Sequence, residues 1–288
     1  MSILKIFVLA IIQGAAELLP VSSSAHVIVA EKLMGLDPTS PEMTLLLVML
    51  HTGTMFAVIF YFWKAWKQNF FASRKVFLDS AKFIIVATTF TAVVGLLLKV
   101  LIEKLFMKDV PHAEIELLFG NLLLISISLA SVGILIMIAG WKTRHGQGAK
   151  PGLDTKSSSW IGIVQGVCLP FRGFSRSGAT ISTGLLLGIE KARAEEFSFA
   201  LAVVLTPPVI AREVLRLLKA QHLNSLTSAS TMSLFYPSLL GMVLSFVTGI
   251  LALRWLSNWL ERGRWHFFGI YCICASLAVF LLHVTIFR

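Results

Sequence analysis

Six long apolar runs constrain this chain more than any other feature of its sequence. Each run is long enough to cross a bilayer as an α-helix, which takes ~20 residues. Only 14% of the residues are charged, whereas a soluble domain carries about a quarter. We therefore predict an all-α integral membrane protein that forms a single membrane domain over residues 1–288. The predicted transmembrane helices cover residues 44–66, 80–105, 115–141, 194–217, 232–256 and 264–287.

Two further apolar regions, residues 3–34 and 158–190, are each interrupted by a polar stretch. The apolar pieces are too short to span, and irregular backbone at membrane depth is tolerated only where it is buried in protein or lines a cavity. We predict that both regions are re-entrant helical hairpins. The first repeat, residues 1–141, is then one hairpin followed by three spans, and the second repeat, residues 158–288, has the same order.

This order predicts that the two repeats have inverted topology. A hairpin returns to its own side of the membrane, and three spans then cross to the other side. Gln13-Gly14 and Gln165-Gly166 lie 152 residues apart (165 − 13), and Ser23 and Ser175 share that offset. Inverted repeats with broken helices indicate a binding site near the membrane midplane, between the two halves.

Basic residues gather in the loops that follow spans one, three and five. By the positive-inside rule these loops face the cytoplasm, so the first hairpin enters from outside, the second enters from the cytoplasm, and their tips approach each other. The same rule explains the net charge of +10, and we expect no nucleic-acid partner. The basic residues are Lys64, Lys67, Arg74, Lys75, Lys82, Lys142, Arg144, Lys150, Lys156, Arg254, Arg262 and Arg264.

The first polar break reads QGAAELLPVSSSAH at residues 13–26. Gln13 and Glu17 are four residues apart and share one helix face, and Pro20 ends that helix. Ionisable groups placed at membrane depth indicate a functional site.

The side chains of this break suit phosphoryl transfer. Glu17 could hold a divalent cation through its carboxylate oxygens. Ser23 or His26 could act as the nucleophile or as an acid–base partner. A lone histidine in span one, His51, is assigned to helix–helix hydrogen bonding.

The second polar break reads PFRGFSRSGAT at residues 170–180. A half-helix is predicted to begin at Ser177–Thr180, and a helix N-terminus attracts phosphate or carboxylate. Arg176 adds donors that match phosphate oxygens. The structural alternative is an ion pair between Arg176 and Glu17, although we favour anion binding.

These two breaks resemble the motifs of the BacA/UppP family, the undecaprenyl pyrophosphate phosphatases of bacterial inner membranes. The family's first motif, (E/Q)xxxE followed by PVSS and a histidine, matches residues 13–26. Its second motif, PGxSRSxxT, matches residues 173–180, but Arg172 stands at the usual proline position. PGLD at 151–154 and EFSFALAV at 196–203 also look familial. The resemblance extends over nearly the whole chain.

The resemblance implies a membrane hydrolase that removes the terminal phosphate of undecaprenyl diphosphate. The product is the lipid carrier of peptidoglycan synthesis, and the activity is associated with bacitracin resistance. A divalent cation, Mg²⁺ or Ca²⁺, is implied, as are a site open to the periplasm and a fold of six spans with two re-entrant hairpins.

The same resemblance implies roles for individual residues. Glu17 would serve as metal ligand and acid–base carboxylate, and Arg176 would grip the diphosphate. Ser23 is the favoured nucleophile with His26 as its partner, although the family also admits histidine as the nucleophile. The implied substrate-binding residues are Gln13, Ser22, Ser24, Gly173, Ser175, Ser177 and Thr180.

Two other function classes stay open at this point. A transporter that flips the polyprenyl-phosphate lipid would need Arg176 but no nucleophile, because secondary transporters share this architecture. A scaffold protein would need neither Ser23 nor Arg176. Arg172 either adds a cation to the anion site or extends to the cytoplasmic surface, which we favour. The oligomeric state also stays open, because small residues such as those in Gly241–Gly249 pack helices within one chain or between chains.

Overall fold

The computed structural model describes residues 2–37, 40–106, 118–144, 152–223 and 228–286. Within these residues the regular structure is helical. The ten helices are α1 Ile3–Leu18, α2 Ser23–Leu33, α3 Pro41–Asn69, α4 Arg74–Phe106, α5 Leu122–Arg144, α6 Thr155–Cys168, α7 Arg176–Leu186, α8 Lys191–Leu223, α9 Ser228–Glu261 and α10 His266–Thr285.

Six of the helices are long and apolar enough to cross a membrane, which confirms the predicted spans. They also present large apolar side chains outward, as Leu96, Leu97 and Leu251 do. The third span begins at Leu122, and the predicted residues 115–117 lie outside the described part of the chain. The spanning segments are Met43–Asn69, Arg74–Lys104, Leu122–Thr143, Lys191–Ala211, Phe235–Glu261 and His266–Thr285.

The four remaining helices form two short pairs, α1 with α2 and α6 with α7. They have 16, 11, 14 and 11 residues, fewer than a span requires. Each begins at a residue whose side-chain oxygen accepts a hydrogen bond from a backbone N–H of the first turn, which stabilises the helix start. These N-cap residues are Ser2, Ser22, Asp154 and Ser175.

Glycines pack each short pair against a span from the other half of the sequence. A Cβ added at Gly14 in α1 would lie 2.8 Å from the Ser245 carbonyl oxygen in α9. A Cβ added at Gly166 in α6 would lie 2.9 Å from the Thr91 carbonyl oxygen in α4. Only a residue without a side chain lets these helix backbones approach so closely.

The glycines of α9 also pack within this chain. Gly241 faces Leu46 and Leu50 of α3, and Gly249 faces Ala57 of α3 and Leu18 of α1. The Gly241–Gly249 stretch is therefore used for packing inside the protein. This contact fixes the position of the C-terminal end of α1, which carries the first residues of the first polar break.

Candidate functional site

The site lies where the tip between α1 and α2 meets the start of α7. Helix α1 ends at Leu18 because the residue before a proline, here Leu19, is driven into the extended region. Ser22 then adopts φ +68°, the one positive φ of a non-glycine residue in the described chain. Its hydroxyl caps α2, so Ser23 is the first residue of that helix.

Glu17 joins the two polar breaks at this point. Its Oε1 accepts a hydrogen bond of 3.1 Å from the Arg176 guanidinium. Its Oε2 accepts hydrogen bonds from the Ser23 hydroxyl and from the Gln13 amide, the latter at 3.2 Å. The ion pair between Arg176 and Glu17 that the sequence offered as a structural alternative is therefore present. It also brings a hydroxyl, a carboxylate and a guanidinium into one cluster.

The surroundings of Glu17 make this cluster partly desolvated. The Glu17 side chain is 18% exposed and that of Arg176 is 22% exposed, while Gln13 is fully buried behind them. Charge-assisted hydrogen bonds are stronger in such a setting than in water. The exposed fraction of Arg176 leaves part of its side chain accessible to an anionic group.

His51 lies beside this cluster, and its assignment to helix–helix hydrogen bonding needs correction. Its Nδ1–H donates to the Leu47 carbonyl of its own helix at 2.8 Å. Its Nε2 lies 4.0 Å from Glu17 Oε2. The signal was available in the sequence, because an ionisable residue within a span is by itself a mark of function.

The hydrogen bonds of the His26 ring in the described structure go to groups other than the Ser23 hydroxyl. Its Nδ1 lies 2.8 Å from the Ser22 carbonyl oxygen and its Nε2 lies 2.7 Å from the Tyr271 hydroxyl in α10. No sequence pattern pointed to Tyr271, which is 245 residues away along the chain. The hydroxyl of Ser23 is instead paired with Glu17.

Two serines and a glycine connect the tips of the short helix pairs. The hydroxyls of Ser22 and Ser24 lie 3.2 Å apart, and the Gly173 N–H donates to Ser24 at 3.3 Å. Gly173 has φ +97°, and a Cβ there would lie 2.6 Å from the Ile125 carbonyl oxygen. This position therefore requires glycine for both its conformation and its space.

The hydroxyls of α7 are buried and bonded to protein groups. Ser175 accepts from the Gly178 N–H at 3.2 Å, and Ser177 donates to the Leu19 carbonyl at 3.3 Å. Thr180 donates to the Arg176 carbonyl at 2.8 Å and also pairs with Ser198. In this arrangement they hold the start of α7 against the first tip, and their contact with substrate stays a prediction.

Arg172 lies against the segment that precedes α5. Its guanidinium is 4.3 Å from the centre of the Phe119 ring, just before the start of α5. The opposite end of α5 carries Lys142, whose Nζ donates to the Leu186 carbonyl. Arg172 therefore lies near the start of α5, beside Phe119. It does not reach the end of α5 that carries Lys142.

The site offers few protein ligands for a metal ion. Within the described residues, no three His, Cys, Asp or Glu side chains group in a way that could hold one. Glu17 is the carboxylate available, and Arg176 and Ser23 already engage its two oxygens. This donor set fits Mg²⁺ bound through a single carboxylate, with diphosphate oxygens and water supplying the other ligands.

Comparison with known proteins finds one protein family that matches nearly the whole chain. The family model described as bacitracin resistance protein BacA matches residues 6–278. The chain is 57% identical to undecaprenyl-diphosphatase 2 of Acinetobacter baylyi, with 98% of each chain covered. It is 34% identical to undecaprenyl-diphosphatase 2 of Burkholderia orbicola, covering 98% of this chain and 99% of the relative. It is 30% identical to undecaprenyl-diphosphatase of Bacteroides fragilis, with 96% of each covered.

Proposed function

This chain belongs to the family of the bacitracin resistance protein BacA, and from that premise we propose that it is an undecaprenyl-diphosphatase. It removes the terminal phosphate of undecaprenyl diphosphate and yields undecaprenyl phosphate. The observation that carries this proposal is the Glu17 carboxylate, which binds the Ser23 hydroxyl on one oxygen and the Arg176 guanidinium on the other. A lipid flippase would need no such paired hydroxyl, so the relatives' names and the site agree on hydrolysis.

In the first step we assign the nucleophile to Ser23. Its proton passes to Glu17 as the oxygen attacks the terminal phosphorus, and the bond to the bridging oxygen breaks. Undecaprenyl phosphate leaves with the electron pair of that bond. The Ser23–Glu17 hydrogen bond supports this assignment over His26, whose two ring nitrogens are engaged by Ser22 and Tyr271.

In the second step water hydrolyses the phosphoserine. Glu17 first gives its proton to the departing undecaprenyl phosphate and then, as a carboxylate, accepts a proton from the attacking water. The bond between phosphorus and the Ser23 oxygen breaks, and that oxygen takes the proton back from Glu17 as inorganic phosphate leaves. Arg176 changes partner during the cycle, because its guanidinium can pair either with Glu17 or with the phosphate oxygens. Positioning and charge neutralisation supply most of the catalysis in such reactions.

A divalent cation, Mg²⁺ or Ca²⁺, completes the proposal. Glu17 would hold it from the protein side, together with oxygens of the diphosphate. The cation would neutralise charge on the phosphates, as metal ions do in phosphoryl transfer.

We also propose that α1–α2 and α6–α7 are re-entrant hairpins in inverted repeats. The end of α2 lies beside the start of α1, since Lys5 Nζ donates to the Met34 carbonyl at 2.9 Å. The end of α7 lies beside the end of α5, where Lys142 binds Leu186. Gly14 packs against α9 and Gly166 packs against α4, so each short pair contacts a span from the other half of the sequence. This matching arrangement supports the inverted repeats.

The orientation follows from the basic ends of the spans, which we place in the cytoplasm of the bacterial inner membrane. The site then opens toward the periplasm, and the isoprenoid tail stays in the bilayer. Extraction of that tail by a soluble enzyme would cost ~0.8 kcal/mol for each buried CH₂ moved to water.

The experiment is phosphate release from undecaprenyl diphosphate by the purified protein in detergent. We expect release that depends on Mg²⁺ or Ca²⁺, stops with chelator, and is lost in Ser23→Ala and Arg176→Ala. Ser159→Ala is a matched control, because that exposed hydroxyl bonds only its own helix in α6. Full activity in Ser23→Ala would contradict the assigned nucleophile, and no release by folded wild-type protein would contradict the enzyme.

A further inference from the structure

We propose that Tyr271 is a positioning residue for the phosphatase reaction, acting through His26 on the turn that presents Ser23. The proposal rests on the proposed function and adds a residue of α10 that is distant from both polar breaks along the chain. Tyr271 donates from its hydroxyl to His26 Nε2 at 2.7 Å. The two rings also stack, with centroids 5.7 Å apart and planes 13° from parallel.

The Ser22 carbonyl selects one tautomer of the neutral imidazole, and the Tyr271 hydroxyl holds the ring in the orientation that this bond needs. A carbonyl oxygen can only accept, so His26 Nδ1, at 2.8 Å from the Ser22 carbonyl, must carry the proton. Nε2 then carries a lone pair, which accepts a hydrogen bond from the Tyr271 hydroxyl. If the phenol is removed, the Ser22 carbonyl still favours the Nδ1–H tautomer, but the imidazole loses the contact that holds its ring in place, and the Nδ1–H bond to the Ser22 carbonyl weakens.

Ser22 is the residue that needs this support. Its φ of +68° is unfavourable for a side chain other than glycine. The backbone bond from His26 N–H to the Ser22 carbonyl is long at 3.4 Å, so the imidazole supplies the shorter bond to that oxygen. Because Ser23 follows directly, the conformation of Ser22 decides whether the Ser23 hydroxyl is directed at Glu17.

The chain of contacts therefore runs from Tyr271 to His26, from His26 to the Ser22 carbonyl, and from that turn to the nucleophile. It does not pass through Arg176, which binds Glu17 on its other oxygen. Loss of the phenol should consequently impair the chemical step and leave the affinity for the diphosphate unchanged.

The first test compares Tyr271→Phe with Tyr61→Phe in the phosphate-release assay. Tyr61 is the matched control, because its hydroxyl bonds Ser257 at 3.1 Å, outside the site. We expect kcat to fall roughly fivefold to tenfold in Tyr271→Phe, the size of one lost hydrogen bond, with KM unchanged. An increase in KM at constant kcat, or equal effects in the two variants, would overturn the proposal.

The second test replaces the imidazole by a donor that lacks the ring nitrogen bonded to Tyr271. In His26→Asn the amide N–H can occupy the position of Nδ1 and bind the Ser22 carbonyl without help from Tyr271. We expect Tyr271→Phe to have no further effect on kcat in the His26→Asn background. A full additional loss in that background would show that Tyr271 acts on the reaction by another route.

The third test does not depend on activity. Diethyl pyrocarbonate acylates a free imidazole nitrogen, and mass spectrometry locates the modified histidine. Removal of the phenol should speed the reaction at His26, with the rate at His283 as internal reference. An unchanged rate at His26 overturns the proposal, whereas faster modification in a protein without phosphatase activity would leave the contact valid and reject the proposed function.

Discussion

At the scale of single residues, the site depends on one carboxylate shared between two segments. Glu17 is placed by α1, Ser23 by the first turn of α2, and Arg176 by the first turn of α7. Each residue type was predictable from a polar break in an apolar chain, because unpaired charge at membrane depth is costly. The negative charge of Glu17 neutralises the positive charge of Arg176 until an anion binds.

Glu17→Gln should reduce phosphate release by about 10²- to 10⁴-fold, the range of a lost general base. The amide keeps the shape of the side chain but can neither take the Ser23 proton nor neutralise Arg176. Initial rates at saturating substrate measure the effect. Glu103→Gln is the control, because that carboxylate forms a pair with Lys99 within α4, and a Glu17→Gln enzyme within tenfold of wild type would contradict the role.

At the scale of helices, the tip between α6 and α7 determines where Arg176 lies. Gly173 packs against the backbone of α5 at Ile125 and donates its N–H to Ser24. This tip is therefore held between α5 and the turn that joins α1 to α2, and small displacements of it would move Arg176 away from Glu17.

Gly173→Ala tests this position against a glycine that shares its backbone conformation. Gly188 has φ +83° but nothing lies within 4 Å of an added Cβ, whereas at Gly173 the Ile125 carbonyl lies 2.6 Å away. We expect Gly173→Ala to lose about 10²-fold in kcat, as a 1 Å misplacement can cause. Gly188→Ala should unfold at a slightly lower temperature and keep its activity. Equal activities in the two variants would contradict the requirement for glycine at Gly173.

At the scale of the whole molecule, the arrangement of basic ends predicts the topology in the membrane. In a background without the three native cysteines, Ser73→Cys, Lys156→Cys and Glu190→Cys should react with an impermeant maleimide only after right-side-out vesicles are opened. Asp37→Cys should react at once. Labelling of Lys156→Cys and Glu190→Cys from opposite sides would show that α6–α7 crosses the membrane and is not re-entrant.

The sequence by itself determined the six spans, the two polar breaks and the residue types of the site. Apolar length and the cost of burying charge are local properties, so they can be read along the chain. The same reasoning gave the Arg176–Glu17 pair only as the alternative to anion binding, because an intramembrane arginine needs either a carboxylate or an anion as partner.

Only the tertiary structure decided which groups contact each other. It placed His51 beside Glu17, Tyr271 on His26, and Arg172 on Phe119 at the end of α5 away from Lys142. These contacts join residues from distant helices, and their geometry depends on helix rotation and on close approaches at glycines. No local pattern encodes such long-range packing, which is why the sequence did not show that His26 bonds the Ser22 carbonyl and the Tyr271 hydroxyl.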